Sequence, residues 1–301
     1  MPLTDRGCRE FGHHWLVQIL LTEEIAEFSF RAQAFLAQRL ERNVMATITQ
    51  LMLAMGPGPG SERPIYALGV DRTGATVAAA LRTPPRHLIA SGFAEPEHAQ
   101  QLMTAWIEAD PGITGVSAAP AEAAMLMQAW RELTGGETSL DFSEALHELK
   151  AVIAPTRMPP GSLRHATSAE EDLLVQWNLD FTAETGFGDP ASAVLAAQRT
   201  LAGGRSYVWD DEGPVTMVGH ATRVADVNRV GPVYTPPQHR GHGYASAAVA
   251  ALSQQLLDAG AQRCMLFTDL ANATSNKIYE AVGYRRFADW EEHSFLPRSA
   301  A

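Results

Sequence analysis

The sequence predicts an α/β protein, a mixed sheet with helices on its faces, built as two copies of one element order. Three observations carry that reading. Across residues 170–295 the apolar positions switch between helical and strand periods in the order α-α-β-β-β-α-β-α-β-β. Residues 25–133 give a blurred version of the same order. Between the two lies Ala154-Pro155-Thr156-Arg157-Met158-Pro159-Pro160-Gly161-Ser162, whose three prolines and one glycine exclude both helix and central strand. A chain of 301 residues also exceeds one ordinary domain. The expected division is 1–154, a linker at 155–162, and 163–301.

In the first half, helices are expected at 25–40 and 43–53, and strands at 65–70 and 75–81 around the turn Asp71-Arg72-Thr73-Gly74. A strand at 87–91 leads to a helix at 96–109, where Leu102, Ala105, Trp106 and Ala109 share a face. A strand at 113–118 and a helix at 121–133 follow. In the second half, the helix at 170–181 places Leu173, Leu174, Trp177 and Phe181 together, and that at 190–201 stops at Gly203-Gly204. Strands are expected at 206–209, 215–224 and 227–234. The helix at 243–259 buries Ala245, Ala248, Val249, Leu252 and Leu256 and ends at Gly260. Then come a strand at 263–268, a helix at 274–282, and strands at 284–287 and 291–295.

Composition narrows the function. Apolar residues make up 46% and charged residues 19%, as in soluble globular proteins. The net charge of −11 argues against nucleic acid as the partner, since phosphate contacts need clustered Lys and Arg. It suits a cationic or amine partner. Cys8 and Cys264 form neither a disulfide framework nor a metal motif, which fits a reducing cytoplasm. The apolar run at 15–21 lacks the basic start and cleavage site of a signal peptide, and no stretch reaches the ~18 apolar residues of a membrane span. His13-His14 and the pair His239 and His242 have no third convergent ligand, so no metal is expected.

The chemistry is concentrated in two segments. Val233-Tyr234-Thr235-Pro236-Pro237-Gln238-His239-Arg240-Gly241-His242-Gly243-Tyr244-Ala245 reads as a strand, a tight turn and a helix start. The glycines remove side chains where backbone N–H groups converge on the positive end of a helix, which makes an anion site. It is neither a Walker A loop, which needs Gly-Lys-Ser/Thr, nor a dinucleotide fingerprint, which needs a third glycine. About thirty residues later comes Asn272-Ala273-Thr274-Ser275-Asn276-Lys277-Ile278-Tyr279-Glu280-Ala281-Val282-Gly283-Tyr284. On bare physics Asn272 could cap the helix it precedes, and Tyr279 could be a core residue with its hydroxyl at the edge.

Together the segments resemble the acyl-CoA signature of the GCN5-related N-acetyltransferase (GNAT) superfamily, with an FR47-like second half. Gln238-His239-Arg240-Gly241-His242-Gly243 fits the pattern Gln/Arg-x-x-Gly-x-Gly/Ala. The resemblance covers 206–295 well and the earlier residues by topology alone. It implies an acyl-CoA N-acyltransferase fold in two tandem copies and an activity transferring acetyl from acetyl-CoA to a primary amine, with a small-molecule acceptor and direct attack in a ternary complex. It further implies that N–H groups of Arg240 through Ala245 cradle the CoA pyrophosphate, that Val233, Tyr234 and Thr235 close a strand splayed from its parallel neighbour, and that Asn272 and Ser275 meet pantetheine. Gly231-Pro232 just upstream agrees with the splay, because proline cannot donate to a ladder. Tyr279 takes the role of general acid toward the departing sulfur. The general base is open between Glu184, ranked first, and Asp226. The first half has one glycine and an acidic residue in Gly92-Phe93-Ala94-Glu95-Pro96 and no tyrosine in its helix at 121–133, so it is expected to be a degenerate copy. A homodimer is compatible with this picture, and a CoA-binding regulatory or assembly module without turnover is the alternative.

Overall fold

The computed structural model describes residues 17–56 and 63–296. The expected features at Cys8, His13 and His14 lie outside them. The first half runs β1 (Gln18–Thr22), α1 (Ile25–Ala37), α2 (Asn43–Met55), β2 (Ile65–Val70), β3 (Thr76–Arg82), β4 (Leu88–Ser91), α3 (Pro96–Ala109), β5 (Gly115–Ala118), α4 (Pro120–Thr134) and β6 (Glu137–Leu149). The second runs β7 (Ser162–His165), α5 (Glu171–Thr185), α6 (Pro190–Ala202), β8 (Ser206–Asp210), β9 (Pro214–His220), β10 (Val227–Tyr234), α7 (Tyr244–Asp258), β11 (Arg263–Asp269), α8 (Ala273–Val282) and β12 (Arg285–Leu296). The repeat suggested by the sequence is therefore complete at the level of elements: strand, two helices, three strands, helix, strand, helix, strand, twice.

All twelve strands join one sheet, in the order β1-β2-β3-β4-β5-β12-β6-β11-β10-β9-β8-β7. Adding six to every label of the first half reverses this order, so the halves are related by an approximate two-fold passing between β12 and β6. Each half gives its last strand to the other. β12 pairs with β5 of the first half, β6 pairs with β11 of the second, and β6 and β12 pair with each other, all antiparallel. Among the described residues parallel pairs occur only at β4–β5 and β10–β11, each bridged by a crossover helix.

Four expectations needed revision. The strand β1 lies in what reads as a polar leader, where it pairs with β2. The thirteen residues of β6 were not anticipated. The two strands expected at 284–287 and 291–295 are one strand, β12, whose register shifts at Arg286/Ala288 and Glu292/His293 break the alternation of its side chains. The strand expected to reach 224 stops at His220, because Ala225 and Asp226 turn back with φ of 48° and 61°.

The core lies in layers on both sheet faces. One face carries α3 and α4, with Leu102, Trp106 and Leu126, then α7 and α8, with Leu252 and Val282. The other carries α1 and α2, with Phe28, Phe35 and Met45, and α5, with Leu174 and Trp177 against Met217 and Tyr234. Leu146, Val227, Met265 and Trp290 link the halves across the middle of that second face.

Candidate active site

The parallel pair β10–β11 is short. Ladder partners run only from Val227 with Arg263 to Arg229 with Met265. Beyond Arg229, β10 continues on β9 alone, with a register shift between Val230 and Val233 around Gly231-Pro232. β11 continues on β6 as far as Asp269. The facing edges therefore part after three paired residues, leaving backbone polar groups of β10 open toward the gap. The splay expected from Gly231-Pro232 lies at this point.

The turn after β10 prepares the anion site. Pro237–His239 forms a single 3-10 turn, which takes up the N–H of His239 on the Pro236 carbonyl and that of Arg240 on the Pro237 carbonyl. Arg240 is thus removed from the expected run of phosphate donors. The N–H groups of Gly241, His242 and Gly243 make no hydrogen bond among the described residues, and the first turn of α7, from Tyr244 through Ala245, adds the usual free donors of a helix start. Gly241 and Gly243 have φ of 80° and 85°, a region that favours glycine, and a Cβ at either would face open space. No side chain caps α7. This is a cradle of unsatisfied donors at the positive end of a helix, and it fits a diphosphate. Gln238 is exposed beside it. The imidazole of His242 stacks on Tyr244 and its Nδ1 lies 3.2 Å from the His239 carbonyl oxygen. The phenol of Tyr244 donates to Asp211 at 2.5 Å, so its ring anchors the helix and only its backbone faces the cradle.

Glu184, at the end of α5, is bound to this loop. Arg240 Nη2 donates to both carboxylate oxygens, at 2.8 and 2.7 Å, while Arg240 Nε donates to the Thr235 carbonyl at 2.8 Å. The hydroxyl of Tyr234 also donates to Glu184, at 3.2 Å. Thr235 is fixed in turn by a 2.8 Å contact between its hydroxyl and that of Thr216. The carboxylate expected as the base is thus engaged by two donors, in an ion pair that ties the end of α5 to the loop. Asp226 sits at the start of β10, the end away from the loop, where Gln262 donates to it at 3.2 Å.

On α8, Asn272 is the N-cap, its side-chain oxygen accepting from the N–H of Ser275 at 3.0 Å. Asn276 ties the helix to the end of β11: it accepts from the Thr268 hydroxyl at 2.5 Å and donates to the Asp269 carbonyl at 3.2 Å. Val233 packs in the same cluster as Tyr279, which is buried and set edge-on to Tyr284 with ring centroids 6.0 Å apart. Among the described residues the Tyr279 hydroxyl has no hydrogen-bond partner. Burial pushes it up to about 12, so it stays protonated at neutral pH.

Comparison with known proteins agrees with this geometry. A family model described as FR47-like protein matches residues 211–293, which span the loop, β11 and α8. The chain has the GNAT fold. A GNAT-family acetyltransferase from Colwellia psychrerythraea superposes with a TM-score of 0.60 at 12% identity, covering 93% of this chain and all of that one. A tandem GNAT protein from the clavulanic acid biosynthesis pathway superposes at 0.59 and 13% identity, covering 95% of this chain and all of that one. A GCN5-related N-acetyltransferase from Sphaerobacter thermophilus gives 0.58 at 14%, covering 92% and 95%. No curated protein matches by sequence.

Within the GNAT fold the first half closes the matching position. Gly92, after β4, donates its N–H to Glu122 at 2.6 Å, and Phe93 is fully buried beside it. Burial holds the Glu122 carboxyl above its ordinary value, opposed by that N–H. Arg42 is buried on the Ser91 hydroxyl at 3.0 Å and the Phe35 carbonyl at 2.8 Å. No helix among the described residues is long and apolar enough to cross a membrane, and no three His, Cys, Asp or Glu side chains among them converge on a metal position.

Proposed function

We propose that the protein is an acyl-CoA-dependent N-acyltransferase that moves acetyl from acetyl-CoA to a primary amine of a small molecule in the cytoplasm. Residues 163–301 hold the acetyl-CoA site and the general acid, and residues 1–154 complete the sheet beside them. The observation that carries this reading is the cradle at Gly241, His242 and Gly243, whose free donors meet the end of a splayed strand. Acetyl-CoA would supply an activated acyl group as its thioester. The cradle and first turn of α7 would bind the diphosphate, the free edge of β10 from Val233 to Thr235 would run beside pantetheine, and Asn272 and Ser275 would meet it from α8. Tyr279, kept neutral by burial, would donate its proton to the sulfur. With both substrates held together, positioning provides much of the acceleration.

The test is calorimetric binding of acetyl-CoA together with thiol release in the presence of amines. Tyr279→Phe should bind acetyl-CoA within about twofold of wild type and lose roughly a hundredfold in kcat. Tight binding with no turnover on any amine would favour a CoA-binding regulatory module. No binding would remove both readings.

A further inference from the structure

An amine reaches an enzyme as its ammonium form and must lose a proton before its lone pair can attack. Neither β10 nor the loop after it offers a free acceptor for that proton. β10 has no carboxylate between Val227 and Tyr234, Glu184 is held by Arg240, and Asp226 lies at the far end of the strand. The sheet brings a different carboxylate to the gap, and it comes from the first half. β6 is the strand on which β11 continues after parting from β10, and the register sets Glu144 opposite Asp269 and Leu146 opposite Phe267. On β12 the partner of Glu144 is Trp290. By strand alternation Glu144 shares a face with Asp269, Phe267 and Met265, the face on which α5 packs and to which Tyr234 belongs. Arg229, opposite Met265 at the point where the strands part, is on the same face. Phe187, from the α5–α6 connection, meets Phe142 of β6 edge-on at 6.3 Å, so the connection that follows Glu184 reaches the strand that bears Glu144.

We propose that Glu144, on the strand lent by the first half, is the catalytic residue that accepts the proton of the attacking amine. The inference rests on the acyl-transfer reading. In the step, Glu144 takes the ammonium proton, the freed nitrogen lone pair forms the C–N bond as the C–S bond breaks, Tyr279 protonates the departing sulfur, and the second nitrogen proton returns to the Tyr279 oxygen. The surroundings suit that task. Burial first, and then the neighbouring carboxylate of Glu292 on β12, raise Glu144 to about 7; Asp269 on β11 adds to the rise and Arg229 on β10 opposes it. Glu292 is itself raised by burial, opposed by His87 and Arg86 of the β3–β4 turn and by the Ser117 hydroxyl 3.3 Å away, with Asp141 of β6 adding to the rise. A carboxyl in this range is a competent base at neutral pH, where a solvated one is too weak. Below about 7 Glu144 is protonated and cannot accept, so turnover should rise with pH through that value.

The experiment uses full-length wild type and Glu144→Gln. It combines calorimetric affinity for acetyl-CoA, thiol release with benzylamine, tyramine and spermidine from pH 5.5 to 9, and carboxyl carbon NMR of the ligand-free wild type, with the Glu144 signal assigned by its loss in the variant. The expected result is an acetyl-CoA affinity within about twofold and thiol release lower by roughly a hundredfold. The rising limb near neutral pH should vanish, and the Glu144 signal should titrate near 7. Turnover by the variant within about threefold of wild type, a limb that persists, or a signal titrating near the ordinary ~4.3 would each overturn the assignment while leaving acyl transfer intact. A wild type that releases no thiol with any of the three amines removes the acyl-transfer reading, and the role of Glu144 with it.

Discussion

Residues 235–243 and residues 92–95 occupy the same place in the two halves, carrying a strand of a parallel pair into its crossover helix. The second-half turn leaves the N–H groups of Gly241, His242 and Gly243 without partners. The first-half turn commits Gly92 to Glu122 and fills the space with Phe93. Exposed N–H groups converging at a helix start are open to an anionic ligand, and a partly buried N–H already bonded to a carboxylate is not. In the first-half turn a carboxylate of the same chain takes an N–H at the position where the second-half turn leaves its donors open. The first half also lends β6, the strand that bears Glu144, to the middle of the shared sheet.

The strongest way to break this contrast is to substitute the glycines. Gly243→Val should weaken acetyl-CoA binding by roughly a hundredfold or more, because a β-branched residue resists a φ of 85° and the donors lose their alignment. Gly92→Ala should leave that affinity within about twofold yet lower stability, since its Cβ would lie 2.5 Å from the Val77 carbonyl oxygen. Equal effects on binding would mean that the first half also takes part in holding the cofactor. A smaller effect tests how independent the halves are. Trp290 on β12 is buried and donates to Ser117 of β5 at 2.7 Å, so Trp290→Ala should cost about 3–5 kcal/mol. Thermal unfolding of both proteins should remain one cooperative transition; two separate transitions in the wild type would show that the shared sheet does not bind the halves into one unit. The smallest effect concerns Glu184, whose ion pair with Arg240 leaves both side chains nearly half exposed, at 44% and 47%. Glu184→Gln should weaken acetyl-CoA binding about twofold to fivefold by loosening the loop. An affinity that rises instead would mean that Glu184 competes with the diphosphate for Arg240.

Much of this was legible in the sequence, for identifiable reasons. β10 and α3 have their expected bounds, and α7 lies within one residue of its own, because each is a run with one period and a clear stop. The cradle was legible because Gly241 and Gly243 are local signals of backbone shape. β6 was not, since Glu137-Thr138-Ser139-Leu140-Asp141 has little apolar alternation and its burial comes from β11 and β12, more than a hundred residues further on. β12 was split for a related reason: its register shifts interrupt the period that identifies a strand. The partnership of Glu184 with Arg240 spans 56 residues, and the neighbours of Glu144 are set by strand register across three different elements, neither of which spacing along the chain can express.

The exchange of β6 and β12 also sets a schedule for synthesis. β6 emerges near the midpoint of translation, but both strands that flank it, β11 and β12, belong to the last forty residues described. While the rest of the chain is being made, β5 and β6 each present a bare edge open to pairing with any other extended chain. The nascent first half is therefore exposed to misassembly for longer than its own length would suggest. A helper that shields strand edges would be needed most during the interval in which residues 150–284 are added.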